Sequence, residues 1–106
     1  VVMTRGQPSV VSKDAADAVP QAGVIIAALP SFAMKDVFIV IKPHLRPGVI
    51  IYIMPGSGGV EFTAREILGE ELRSGKCTLA GLVPMPLNAR IIEWGESADL
   101  AAIKVA

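Results

Sequence analysis

The stretch Val49-Ile50-Ile51-Tyr52-Ile53-Met54-Pro55-Gly56-Ser57-Gly58-Gly59-Val60 decides how this chain is read. Its first half is apolar without a break, and Pro55 stops it dead. Gly56, Ser57, Gly58 and Gly59 follow, and then Val60, Ala64, Ile67 and Leu68 recur at helical spacing. Strand, tight turn and amphipathic helix are expected in that order. Near-continuous Val/Ile character suits a parallel strand covered on both faces, not an antiparallel strand with one wet side.

The same unit appears on either side. Residues 24–29 form a second apolar run, ended by Pro30 and followed by Ser31-Phe32 and a helix expected over 32–41. Ser31 is the expected N-cap, where its hydroxyl would accept an orphan backbone N–H. That helix should fray at Pro43, which cannot sit deep inside one, and Arg46-Pro47-Gly48 turns the chain into the 49–54 strand. The second helix is expected over 60–72, ended by Ser74-Gly75, with a third strand over 78–83 that stops at Pro84. Weaker signals predict a short strand at 1–4, a turn at 5–8, a strand end at 9–11, a short helix at 14–19 broken by Pro20, and a last strand at 99–105. In open parallel sheets, ligands sit at the carboxyl ends of the strands. The turns at Pro30, Pro55 and Pro84 are therefore the candidate functional positions.

Composition bounds the rest. The chain has 106 residues, 52% of them hydrophobic and 19% charged, which is enough for one domain with a modest core. A mean hydropathy of +0.54 is high for a domain this small. It implies apolar surface that meets further chain or another subunit. The formal net charge of zero argues against a nucleic-acid or anionic-membrane partner, since either would call for a basic patch. No apolar run approaches the ~18 residues of a membrane span, and no signal-peptide layout opens the chain. Cys77 is the single cysteine, so neither a disulfide framework nor a cysteine-based metal site is expected within one chain. A cytoplasmic α/β protein is the expectation.

One feature of nucleotide-binding sheets is not found. They open with strand, Gly-x-Gly-x-x-Gly and helix, so that backbone N–H groups meet the pyrophosphate, and no such fingerprint precedes Val24. The expected fold is a partial Rossmann-type doubly wound α/β unit. It is a mostly parallel sheet with flanking helices, without the first strand–fingerprint–helix unit. Residues 1–106 are expected to be one domain, the distal half of a larger dinucleotide-binding domain.

Four motifs carry a resemblance to a known family. Ala28-Leu29-Pro30-Ser31-Phe32-Ala33 resembles the (V/L)PAFAH turn of the opine dehydrogenases, the octopine dehydrogenase group. Pro55-Gly56-Ser57-Gly58-Gly59-Val60-Glu61-Phe62 is similar to that family's proline–glycine turn and GG(F/A)EF. Arg65-Glu66-Ile67-Leu68-Gly69 resembles its RDILG, and Pro84-Met85-Pro86-Leu87-Asn88-Ala89-Arg90, ahead of Glu93-Trp94-Gly95, resembles its LPWACRI and following EFG-type turn. The motifs stand in family order over roughly residues 8–104.

The resemblance implies an NAD- or NADP-dependent oxidoreductase that condenses an α-keto acid such as pyruvate with the amino group of an amino acid. Hydride from the cofactor would reduce the resulting imine. It implies cofactor contacts at Leu29, Pro30, Ser31, Pro55, Gly56 and Ser57, and substrate contacts at Ser57, Gly58 and Arg90. It implies no catalytic residue here, because the family's acid–base histidine and carboxylate lie on a helical second domain that this chain lacks. His44 matches that histidine in neither position nor context. The chain departs from the family pattern at Met34, where the first motif closes on histidine, and at Leu87 and Ala89, where the fourth has tryptophan and cysteine. Ser57 stands where some members place a glutamine that holds the keto acid. These departures bear on amino-acid specificity.

Structural readings stand beside each functional one. Pro30 and Ser31 can simply end a strand and start a helix, and the glycines can serve backbone geometry alone. Glu61 can do no more than favour a helix dipole. Arg90 either pairs with Glu93 on the surface, worth about 0–1 kcal/mol, or binds a carboxylate or phosphate. Cys77 reads as a small buried hydrophobe, and His44 as a surface residue compensating a helix C-terminus. Trp94 either caps the sheet or meets a further domain. Two alternatives to the main reading remain. One is a reductase of the glycerol-3-phosphate or ketopantoate type. The other is a complete non-catalytic α/β interaction module that self-associates through a sheet edge or an open face.

Overall fold

Pro30 and Pro55 do mark the ends of two parallel strands. The computed structural model describes residues 3–56, 59–82, 85 and 87–103. In chain order the elements are α1 (Ala15–Ala18), β1 (Val24–Ala28), α2 (Ser31–Ile41), β2 (Val49–Met54), α3 (Val60–Arg73), β3 (Cys77–Gly81), β4 (Leu87–Glu93) and β5 (Ser97–Ile103). Short 3-10 turns follow α1 and α2, each containing a proline, Pro20 or Pro43.

The first three strands form a parallel sheet in the order β1-β2-β3. Ile25 is in register with Ile51, and Ile51 with Leu79. Both crossovers step the same way along the sheet, and such connections share one hand, so α2 and α3 lie side by side on one face. Met34, Phe38 and Ile41 of α2 and Val60, Ala64 and Leu68 of α3 form the buried stripes. They close over Ala27, Val49, Ile51, Ile53 and Cys77 from the sheet. Leu68 departs from helical geometry just before Gly69 and kinks α3. At its far end, Gly75 takes a left-handed φ of 78° directly after the Ser74 C-cap.

Several expectations are corrected. Among the described residues the sheet is covered on one face only, because both crossover helices land on the same side. Val24 and Ile26 remain 53% and 59% exposed on the other. Tyr52 shares that uncovered face by register with Ile26. Ser31 is not the N-cap of α2. Pro30 takes that position with an extended backbone, and no side chain caps the helix. Ser31 lies one place too late to reach the first-turn N–H groups. Asp14, by contrast, does cap α1, accepting from the Ala16 N–H at 3.0 Å.

No strand forms from Met3 to Val11, because β-branched propensity makes a strand only where a ladder partner lies alongside. The third strand ends at Gly81, two residues early, and Val1, Val83 and Pro84 lie outside the described residues. The 87–93 segment, for which the sequence suggested no element, is a full strand. It pairs antiparallel with β5 through a turn in which Gly95 has φ 77°. Every residue of that hairpin is exposed, and Trp94 at its tip caps nothing, being 85% exposed.

Candidate functional site

Parallel pairing puts the carboxyl ends of β1, β2 and β3 on one edge of the sheet, since Ala28 is in register with Met54 and Ile53 with Gly81. The Leu29–Pro30 turn into α2, the Pro55–Gly56 turn into α3, and Leu82 after β3 therefore gather there. A cleft of about 330 Å³ opens at this edge, lined by Ile53, Gly56, Val60, Glu61, Leu79 and Gly81. Ile53, Val60 and Leu79 supply its apolar lining, and Glu61, in the first turn of α3, is its one charged lining residue. A second hollow lies away from it, at the β4–β5 turn between Ile91 and Ala98. Only the first combines strand ends, a helix start and a glycine turn.

Both helices that start at this edge do so without a side-chain cap. At α3 the N-cap is Gly59, with φ 76°, and its carbonyl accepts from Phe62 at 3.0 Å. At α2 the Pro30 carbonyl accepts from Ala33 at 3.0 Å. The remaining first-turn N–H groups carry the positive end of each helix dipole. The glycine turn is also strapped to β3. Gly56 donates to the Leu82 carbonyl at 2.7 Å, and Leu82 donates to the Ile53 carbonyl at 3.0 Å.

The residues expected from the sequence fall into three groups. Leu29, Pro30 and Ser31 lie exposed at the start of α2, and Pro55 and Gly56 lie half-buried at the start of the second turn, all on the same edge. Ser57 and Gly58 lie outside the described residues. Arg90 is not brought to the cleft lining. It sits exposed in the middle of β4, opposite Asp99, and makes no ion pair among the described residues. Met34 is fully buried in the core, so an apolar side chain at this point is a packing choice. Cys77 is buried too. Burial first, and then the Glu71 carboxylate, hold its thiol above the ordinary value of 9.0, with Lys76 pulling the other way.

The sequence reading missed Ile53, Val60, Leu79 and Gly81 as cleft residues and took Glu61 for a helix-dipole residue. Gly81 had a signal: a glycine closing an apolar strand marks close approach by another backbone. Among the described residues no group of His, Cys, Asp or Glu is placed to hold a metal ion, and no helix is long and apolar enough to cross a membrane.

A parallel sheet with uncapped helix starts and a glycine turn at its carboxyl edge defines a Rossmann-type segment. Comparison with known proteins narrows the group. No family model matches the chain. It is 30% identical to the tauropine dehydrogenase of Arabella iricolor over 97% of its own length and 25% of that protein's. It is 33% identical to the opine dehydrogenase of Haliotis discus hannai over 90% of this chain and 23% of the relative. Octopine dehydrogenase solved with NADH and L-arginine superposes with a TM-score of 0.84 at 28% identity, over 92% of this chain and 24% of that one. Octopine dehydrogenase with NADH and agmatine matches equally well. The chain is thus related in sequence and in fold to the opine dehydrogenases along nearly all its length, and spans about a quarter of the relatives it matches.

Proposed function

We propose that this chain forms the distal half of the NAD(P)-binding domain of an opine-dehydrogenase-like oxidoreductase. The reaction is the reductive condensation of an α-keto acid with the amino group of an amino acid. One observation carries this reading. The Pro30 and Pro55 turns, which bear the family-like motifs, start two uncapped helices at a single edge of the sheet. The matched relatives carry dehydrogenase names across the same stretch.

In this reading Leu29, Pro30 and Ser31 border the nicotinamide half of the dinucleotide, where a proline turn leaves room beside the strand end. Pro55, Gly56 and Ser57 border the same ligand from the next strand. Ser57, Gly58 and the free N–H groups at the start of α3 face the keto-acid carboxylate, whose charge the helix dipole favours. Arg90 reaches a carboxylate or phosphate only if the hairpin is held against the cleft. The cofactor supplies the hydride. This chain's part is to bind and orient, and the proton transfers belong to groups outside it.

The test is NADH oxidation by the protein that carries this sequence, with pyruvate and a panel of amino acids that includes L-arginine. Turnover that requires both carbon substrates is expected. Absence of NADH binding at millimolar concentration would end the proposal. The isolated 106-residue chain is expected to bind NADH weakly, turn nothing over, and associate through the open face bearing Val24 and Ile26.

A further inference from the structure

Gly56 and Gly81 touch backbone to backbone. A Cβ added at Gly56 would lie 2.6 Å from the Gly81 Cα and 2.9 Å from its carbonyl carbon, and one added at Gly81 would lie 3.2 Å from the Gly56 Cα. Neither residue has a positive φ. What the contact requires of both is therefore the missing side chain and not the conformational freedom of glycine. Both also line the cleft. The two bonds that run from Gly56 to Leu82 and from Leu82 to Ile53 clamp the turn at this one height above the strand ends.

We propose that Gly56 and Gly81 are positioning residues. Their contact sets how close Gly56 stands to the end of β3 in the cleft wall, beside the start of α3 and its free N–H groups. This rests on the reading of the cleft as a dinucleotide and keto-acid site. A side chain at Gly81 would push the turn outward by a few tenths of an ångström. One at Gly56 meets backbone that cannot yield and would push it further. The effect should be graded in that order, although neither position supplies a group that touches ligand through a side chain.

The experiment compares wild type, Gly81→Ala, Gly56→Ala and the control Gly23→Ala in the protein that carries this sequence. Nothing lies within 4 Å of a Cβ at Gly23. The readouts are the dissociation constant for NADH, KM and kcat for the keto acid, thermal melting, and amide exchange at Gly56 and Leu82. Gly81→Ala should weaken NADH binding by about tenfold, as sub-ångström misplacement of a binding element does, and speed exchange at Gly56. Its melting should stay near wild type, and Gly23→Ala should change nothing. A Gly81→Ala protein that melts lower but binds NADH like wild type would overturn the proposal, the contact then being packing alone. Should both variants fail to fold, wild type still decides, since NADH must slow amide exchange at Gly56 and Leu82, and unchanged exchange rejects the idea. A wild type that binds no dinucleotide rejects the functional reading itself, and this inference with it. Binding by wild type with no loss in Gly81→Ala rejects this inference only.

Discussion

Lys42, just past the end of α2, reaches across to Glu71 in α3, with its Nζ 3.8 Å from Oε1. The other carboxylate oxygen, Oε2, is sealed from solvent and has no hydrogen-bond partner among the described residues. The partners are unequal, since the lysine side chain is 46% exposed and the glutamate only 14%. Removing the cation leaves a largely buried carboxylate unpaired, whereas removing the carboxylate leaves a lysine that water can solvate. Lys42→Ala should cost about 1 kcal/mol in urea unfolding, discounted for the solvent screening around the lysine. Glu71→Met should cost less or be neutral. Equal losses, or a larger loss for Glu71→Met, would show that the ion pair is not what holds the carboxylate there.

Two phenylalanines in the same helix should respond in opposite ways. Phe38 is fully buried between α2 and the sheet, while Phe32, six residues earlier in that helix, is 86% exposed. Phe38→Ala removes core contacts and leaves a cavity, at a cost of about 3–5 kcal/mol, enough to unfold a domain of this size. Phe32→Ser should leave the melting temperature unchanged or raise solubility. A soluble, cooperatively melting Phe38→Ala protein would mean that the core is not where the burial places it.

The β1–α2–β2–α3–β3 unit was legible because its physics is local. Apolar runs, prolines at their ends and the 60–64–68 helical stripe each speak within a dozen residues. The 49–54 strand falls where the sequence puts it, and Val60, Ala64 and Leu68 are buried as their spacing requires. The uncovered face was not legible, because Val24 and Ile26 are apolar whether or not anything covers them. Strand β4 was hidden by its content: Asn88 and Arg90 between two prolines and a Glu-Trp-Gly turn look like loop until β5 supplies the ladder. At the candidate site the turns were readable from their punctuation. The Gly56–Gly81 contact was not, because two residues so far apart in sequence carry no mutual signal in one chain.

Gly75 tests the turn that ends α3. It follows the Ser74 C-cap with φ 78°, and open space surrounds the position of a Cβ. A substitution there meets no atoms, so its whole cost is conformational. Gly75→Ala should lose about 1 kcal/mol, and Gly75→Asn less, because asparagine tolerates the left-handed region better than alanine. A Gly75→Ala protein as stable as wild type would place the helix end elsewhere.

Cys77 predicts the alkaline limb of stability. Its thiol is raised above 9.0 in the folded protein by burial and then by Glu71, while in the unfolded chain it titrates at its ordinary value. The folded state thus favours the protonated thiol. The stability this contributes is complete below the unfolded value, and it is lost as pH rises through the raised folded value. The difference between wild type and Cys77→Ala isolates the contribution of this thiol and is the quantity to follow. Urea midpoints measured across the alkaline range should fall more steeply with pH for wild type, and the two proteins should run parallel near neutrality. The same burial predicts slow labelling by a thiol reagent at neutral pH, because only the thiolate reacts, with fast labelling once urea opens the core. Rapid labelling of the native protein would contradict both the burial of Cys77 and the alkaline effect that depends on it.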